Sequence, residues 1–166
     1  MVLQPASNAR SLLQVRKASP EDAAVVAEIT DSAYGIYVPL LGRKPQPMTA
    51  DHRQMIVEND VWLLEEEGHP EGVLELVHEA SCLLIYSVAV RPGHQRRGLG
   101  RQLMAWAERQ AAEAALPRLR LYTNALMTAN IALYARLGYQ ETEREPYLGS
   151  TLVHMAKEVG RVEGSA

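Results

Sequence analysis

The segment Val88-Ala89-Val90-Arg91-Pro92-Gly93-His94-Gln95-Arg96-Arg97-Gly98-Leu99-Gly100 passes from an apolar, strand-like run through a turn into the start of an amphipathic stretch. That order of residue types suits an anion. Gly98 and Gly100 let the backbone approach a ligand with no Cβ in the way, and the unpaired N–H groups of a helix start, with the helix dipole, favour a phosphate. Arg96, Arg97 and Arg101 can add charge from the rim. Two other phosphate-binding patterns fit poorly. A nucleotide P-loop needs Gly-Lys-Ser/Thr, which is missing here, and the dinucleotide fingerprint wants a third glycine where Leu103 stands.

Charge narrows the partners. With 17 Lys and Arg against 20 Asp and Glu, the net charge is −3, which argues against a protein that coats nucleic-acid phosphates with positive charge. Arg91, Arg96, Arg97 and Arg101 share a stretch without acids, whereas Glu65, Glu66, Glu67, Glu71, Glu75 and Glu79 crowd the preceding one. His52, His69, His78 and His94 show no metal-ligand spacing, so no metal is expected. The single cysteine, Cys82, lies in the apolar run Cys82-Leu83-Leu84-Ile85 and reads as an inert core thiol.

The 166 residues are 47% hydrophobic and 22% charged, which suits one domain over residues 1–166 with its ordered core at about 12–159. No apolar run approaches the ~20 residues that span a bilayer, and Met1 to Val15 lacks the pattern of a signal peptide. A soluble, cytoplasmic protein without a membrane partner is expected.

These residues need positioning elements. Leu12 to Lys17 reads as a strand, followed by Ser19-Pro20-Glu21-Asp22, an N-cap, a first-turn proline and early acids for a helix to about Tyr34 or Tyr37. Pro39, Gly42, Pro45 and Pro47 exclude regular structure between Val38 and Met48, and a short helix resumes at Thr49 or Asp51. Val61 to Glu66, Val73 to His78 and Leu83 to Val90 form a meander of strands. Leu99, Leu103, Trp106 and Ala107 mark a helix that Pro117 stops, and Leu119 to Thr123 is the next strand. A helix over Thr128 to Leu137 ends at Gly138, and Tyr139 to Thr142 and Thr151 to Met155 close the sheet. The order β-α-α-β-β-β-α-β-α-β-β describes an α/β domain with a mixed sheet.

Gln95-Arg96-Arg97-Gly98-Leu99-Gly100 matches Gln/Arg-x-x-Gly-x-Gly/Ala, and a second block runs from Asn124 to Tyr139. At both, the chain resembles the GNAT superfamily of acyl-CoA-dependent N-acyltransferases. The resemblance implies a GNAT-like single domain, with a mixed, mostly antiparallel central sheet whose strands splay, flanked by about four helices. It also implies acetyl-CoA as the cosubstrate, with the backbone of Val88, Ala89 and Val90 along pantetheine and Gln95, Arg96, Arg97, Gly98, Leu99, Gly100 and Arg101 at the pyrophosphate. Asn130 would contact CoA, and Tyr134, one turn further on the same helix face, would lie near the sulfur and serve the departing thiolate.

One departure concerns the base that frees the attacking amine. Many relatives carry Glu two residues before the Val-Ala-Val strand end, where this chain has Tyr86, on the face of Leu84, Val88 and Val90 by strict alternation. Tyr86 can pack, hold a water or contact the acceptor. Glu28 and His154 are further candidates at the acceptor side. Tyr34, Tyr37 and the Pro39 to Met48 loop would wall that site, opposite the Glu141 to Gly149 turn, where Glu141, Glu143 and Glu145 could attract an ammonium group. The expected function is acetyl transfer from acetyl-CoA to a primary amine by direct attack, the amine being a small molecule, a protein N-terminus or a lysine. The alternative is a non-catalytic acyl-CoA sensor or interaction module. A homodimer stays open.

Overall fold

A computed structural model describes residues 12–95 and 97–160. Seven strands form one sheet: β1 (Leu13–Lys17), β2 (Asp60–Glu66), β3 (His69–His78), β4 (Leu83–Val90), β5 (Arg118–Asn124), β6 (Gln140–Tyr147) and β7 (Ser150–Glu158). Their order across the sheet is β1-β2-β3-β4-β5-β7-β6, and every neighbouring pair is antiparallel except β4 with β5. The crossover between those two is made by the helix α4 (Leu99–Glu113), as a parallel connection requires. The fold expected from the sequence is thus the fold observed.

Both faces of the sheet are covered. Leu99, Leu103, Met104, Ala107 and Ala111 form the buried stripe of α4 and pack with Leu64, Leu74, Leu76, Leu83 and Leu119. On the other face α1 (Ala23–Tyr34) and α3 (His52–Glu58) bring Val26, Ile29 and Ile56 against Val61, Leu63, Val73 and Ala89. Each Val, Leu, Ile or Met among them, fully buried, contributes about 1.5–3 kcal/mol of transfer free energy. No helix among the described residues is long and apolar enough to cross a membrane.

The proline-rich stretch differs from the expectation of irregular chain. It holds a one-turn helix, α2 (Val38–Leu41), closed by Gly42 at φ +71°, and a 3-10 turn at Gln46–Thr49. Pro39 and Pro47 each sit in a first turn, where the missing N–H has no intrahelical partner to lose. The closing strands are also longer than expected, joined by Leu148 and Gly149 at φ +46° and +76°, the two-residue turn whose twist matches a tight hairpin. Helix α5 (Thr128–Arg136) precedes them, and Gly138 at φ +95° follows it as expected.

At the start of α1, the Ser19 N–H donates to Asp22 Oδ2 at 2.8 Å, and Arg16 bridges Asp22 (2.8 Å) and Glu65 (2.6 Å). The Arg16 hydrogen bond holds the Asp22 carboxyl down at about 2, against an ordinary 3.8. A depressed carboxyl stabilises the fold above pH 3.8 and loses that contribution as pH falls through 2. Because the Arg16 side chain is 35% exposed, Asp22→Asn is expected to cost only about 1 kcal/mol at neutral pH. Urea titrations of both proteins should show the difference narrowing as the medium is acidified from pH 3.8 towards 2.

Candidate active site

β4 and β5 pair at only two positions, Leu83 with Leu119 and Leu84 with Arg120. Beyond them β5 continues along β7 and β4 along β3, so the strands diverge and the β4 edge from Ile85 to Val90 faces no strand. A bulge contributes to the divergence. Glu75 lies opposite Ser87 and Leu76 opposite Ile85, which leaves Tyr86 as an extra residue in β4 and bends the strand. Ile85 and Val88 consequently both pack on the α4 side, although strict alternation would put them on opposite faces. Tyr86 is therefore not on the face of Val88 and Val90, and the alternation expected from the sequence fails there.

The start of α4 combines a left-handed glycine turn with arginines already engaged in ion pairs. Gly98, at φ +80°, makes the left-handed turn that starts α4, a conformation that costs other L-residues about 1 kcal/mol or more. A Cβ on Gly100 would meet nothing within 4 Å, and Gly100 faces a cleft shared with Val88, Ala89, Val90, Gln95 and Asn130. The Gln95 amide donates to the Val90 carbonyl at 3.0 Å, while buried Leu99 anchors the first turn in the core. Arg97 is tied to Glu66 at 2.7 Å and to His94 at 3.2 Å, and Arg91 to Glu28 at 2.7 Å. These two arginines fasten the loop to its surroundings. Arg101 is exposed on the first helical turn, and Arg96 lies outside the described residues.

Tyrosines line the middle of the cleft. The Tyr34 phenol donates to the Val88 carbonyl at 3.1 Å and accepts from the Ser87 hydroxyl at 3.3 Å. Tyr37 donates to Asn130 Oδ1 at 3.5 Å and borders the part of the cleft that holds Gly100. Tyr134 borders both lobes, its ring held edge-on against Tyr139 with centroids 6.1 Å apart. Burial pushes the phenols of Tyr34 and Tyr86 up to about 12 and that of Tyr134 higher still. All three are therefore neutral phenols at neutral pH.

The second lobe has a volume of about 270 Å³ and lies under the Pro-rich loop and the β6–β7 hairpin. Arg43 donates to the Tyr147 carbonyl at 3.2 Å and to that of Leu148, and its guanidinium stacks over the Tyr147 ring at 5.4 Å. Gln46 donates to the Tyr147 hydroxyl at 2.6 Å and accepts from that of Tyr122 at 2.9 Å. Loop and hairpin thus roof the lobe, as expected, but its acids do not line it. Glu141 pairs with Arg144 at 2.5 Å, Glu145 with His154 at 2.9 Å, and Glu143 borders a separate hollow beside Cys82. Glu28 is bound to Arg91 and lies outside the lobe. Buried Cys82 donates to Glu79 at 3.0 Å, and burial raises its pKa, consistent with an unreactive thiol.

Sequence reasoning missed Gln46, Tyr122 and the buried pair His52 and Glu75. The signal for the last was available: Glu75 is an acid inside Val73-Leu74-Glu75-Leu76-Val77, a run otherwise of core residues.

The family model described as Acetyltransferase (GNAT) family matches residues 26–139, which takes in both sides of the splayed cleft and the glycine turn. This chain belongs to the GNAT acetyltransferase family. Among solved GNAT relatives, the Escherichia coli ribosomal-protein-S18-alanine N-acetyltransferase superimposes with a TM-score of 0.73 at 19% identity, over 92% of this chain and 97% of that one. The PaiA N-acetyltransferase of Thermoplasma acidophilum, solved with coenzyme A, gives 0.71 at 14% identity, over 86% and 98%. A mycothiol acetyltransferase of Streptomyces scabiei is 39% identical over 61 residues, which span 37% of this chain and 20% of that relative's length.

Proposed function

We propose that this GNAT protein transfers the acetyl group of acetyl-CoA to a primary amine of modest size, by direct attack of the amine on the thioester. The observation that carries the reading is the divergence of β4 from β5 after Leu84, which opens a cleft from the α4 N-terminus to the roofed lobe. The relatives solved with coenzyme A or acetyl-CoA support the choice of cosubstrate. At the residues present the fit is good. Gly100 has open space where a Cβ would stand, and the free N–H groups of Leu99, Gly100 and Arg101 suit a pyrophosphate. The open β4 edge at Val88 to Val90 suits amide groups running alongside it, and an N–H near Ala89 would polarise the acetyl carbonyl.

Tyr134 has the position and the protonation state to donate to a departing thiolate. A phenol held above its ordinary pKa stabilises a thiolate, of intrinsic pKa about 8.5, by hydrogen bonding more readily than by giving up its proton. Tyr86 lines the acceptor lobe as a neutral phenol and orients the acceptor there. The roof of Arg43, Gln46 and Tyr147 suits a small amine or a chain terminus entering end-on. Acetyl-CoA at a hundred times its Kd should stabilise the fold by about 2.7 kcal/mol, read as a rise in melting temperature that ATP and NAD do not produce. Free-thiol release with a panel of small amines and short peptides should then depend on the amine. Stabilisation without amine-dependent release would leave an acyl-CoA sensor, and no stabilisation would end the reading.

A further inference from the structure

The Glu75 side chain is fully buried in β3, where an ionised carboxylate costs several kcal/mol unless it is well partnered. One oxygen has a partner: Oε1 lies 2.8 Å from Nδ1 of His52, the buried first residue of α3. The other, Oε2, is buried and has no hydrogen-bond partner among the described residues. Most buried side-chain polar atoms have at least one partner, so Oε2 keeps an unused acceptor position. Directly across from Glu75 on β4 stands Ser87, so the two side chains are close neighbours on one face of the sheet. Ser87 and Tyr34, joined by the 3.3 Å hydrogen bond, both line the acceptor lobe. The bulge at Tyr86 is what brings this pairing about, since it resets β4 at that point.

We propose that Glu75, held by His52, receives the proton of the acceptor ammonium through the Ser87 hydroxyl. This rests on the acetyltransferase reading above and supplies, from the strand next to β4, the acid that Tyr86 does not provide. The nitrogen sheds two protons in becoming an amide. Ser87, which donates to Tyr34 in the resting site, turns its hydroxyl to the unpartnered Glu75 Oε2. The first proton passes to Ser87 Oγ as the Ser87 proton passes to Glu75 Oε2, and Glu75 later returns it by the same route. The freed lone pair forms the N–C bond, the C–S bond breaks, and the second proton neutralises the departing thiolate. Glu75 is in this sense a positioning residue that acts through Ser87. The titratable groups around it are His52 from α3, with Asp31 and Asp51 beyond, Tyr34 from α1 and Tyr86 from β4. Its own hydrogen bond raises the pKa of His52, which favours a charged partner for the carboxylate.

Glu75→Gln keeps the shape and a hydrogen bond to His52 but cannot take a proton. Single-turnover acetyl transfer to the best amine of the panel should fall about 10²-fold at pH 7, with the acetyl-CoA thermal shift unchanged. The deficit should shrink about tenfold for each unit of pH as the amine deprotonates on its own, a recovery that a packing defect would not give. Wild-type transfer by a folded Glu75→Gln, or a loss of equal size at every pH, overturns the proposal and leaves the acetyltransferase reading intact. Should Glu75→Gln fail to fold, Ser87→Ala takes its place with the same expected recovery, and transfer at the wild-type rate overturns the relay. A wild-type protein that acetylates no amine at all removes the acetyltransferase reading, and the role of Glu75 with it.

Discussion

Gly100→Val is expected to abolish the stabilisation by acetyl-CoA while the free protein keeps its melting temperature. Gly100 sits in the first turn of α4 with an ordinary helical backbone, and a Cβ there meets nothing within 4 Å. The fold therefore has room for the isopropyl group, and valine is no worse than glycine for the helix. The empty space lies in the cleft, beside the N–H groups that suit the pyrophosphate. Losing two charge-assisted hydrogen bonds at about 1.5–3 kcal/mol each weakens binding by 10²-fold or more. Gly98 would be a poorer site for this test, since its φ of +80° adds backbone strain to any substitution. Isothermal titration with acetyl-CoA, set beside a melt of the free protein, separates the two effects. Unchanged affinity in the folded variant would refute the cradle.

Tyr134→Phe is expected to slow single-turnover acetyl transfer by about 10²-fold while acetyl-CoA affinity stays close to that of the wild type. The ring supplies packing, edge-on to Tyr139, and phenylalanine retains it. Only the hydroxyl at the junction of the two lobes is lost. A hydrogen bond to a charged group is worth about 1.5–3 kcal/mol, which as a barrier change is roughly ten- to 150-fold. The single-turnover measurement keeps slow product release from hiding the chemical step. This variant and Glu75→Gln should differ in their pH dependence: the Tyr134→Phe deficit persists as pH rises, because the free amine still lacks help with the leaving group. A wild-type rate for Tyr134→Phe would make the tyrosine structural.

Much of this molecule follows from local rules. Ser19-Pro20-Glu21-Asp22 starts α1, Pro117 lies just beyond α4, and Gly138 follows α5, because caps and breakers act within one turn of chain. The glycine turn before α4 was legible for the same reason: Gly98 and Gly100 carry their meaning in their own missing side chains. The order of elements then followed from hydrophobic period, and with it a mixed sheet; the splay of its strands came from the family resemblance. The two-turn pattern in Val38 to Met48 was hidden, since prolines that forbid a helix interior are welcome in a first turn.

What the sequence by itself determined, then, was the GNAT fold, the turn that starts α4, and the helix face shared by Asn130 and Tyr134. The tertiary structure alone decided which charges are engaged: Arg97 is held by Glu66, and Glu141 and Glu145 by Arg144 and His154. It alone placed Gln46 between Tyr122 and Tyr147, residues 76 and 101 positions away along the chain. It also decided the face of Tyr86 and the pairing of Glu75 with Ser87, because one extra residue in β4 changes which side chains share a face. A cap or a glycine turn depends on neighbours a few residues off, whereas a bulge or an ion pair depends on which distant strand arrives alongside. That is why the glycine turn could be read in the chain, while the hydrogen bonds that tie the Pro-rich loop to the hairpin could not.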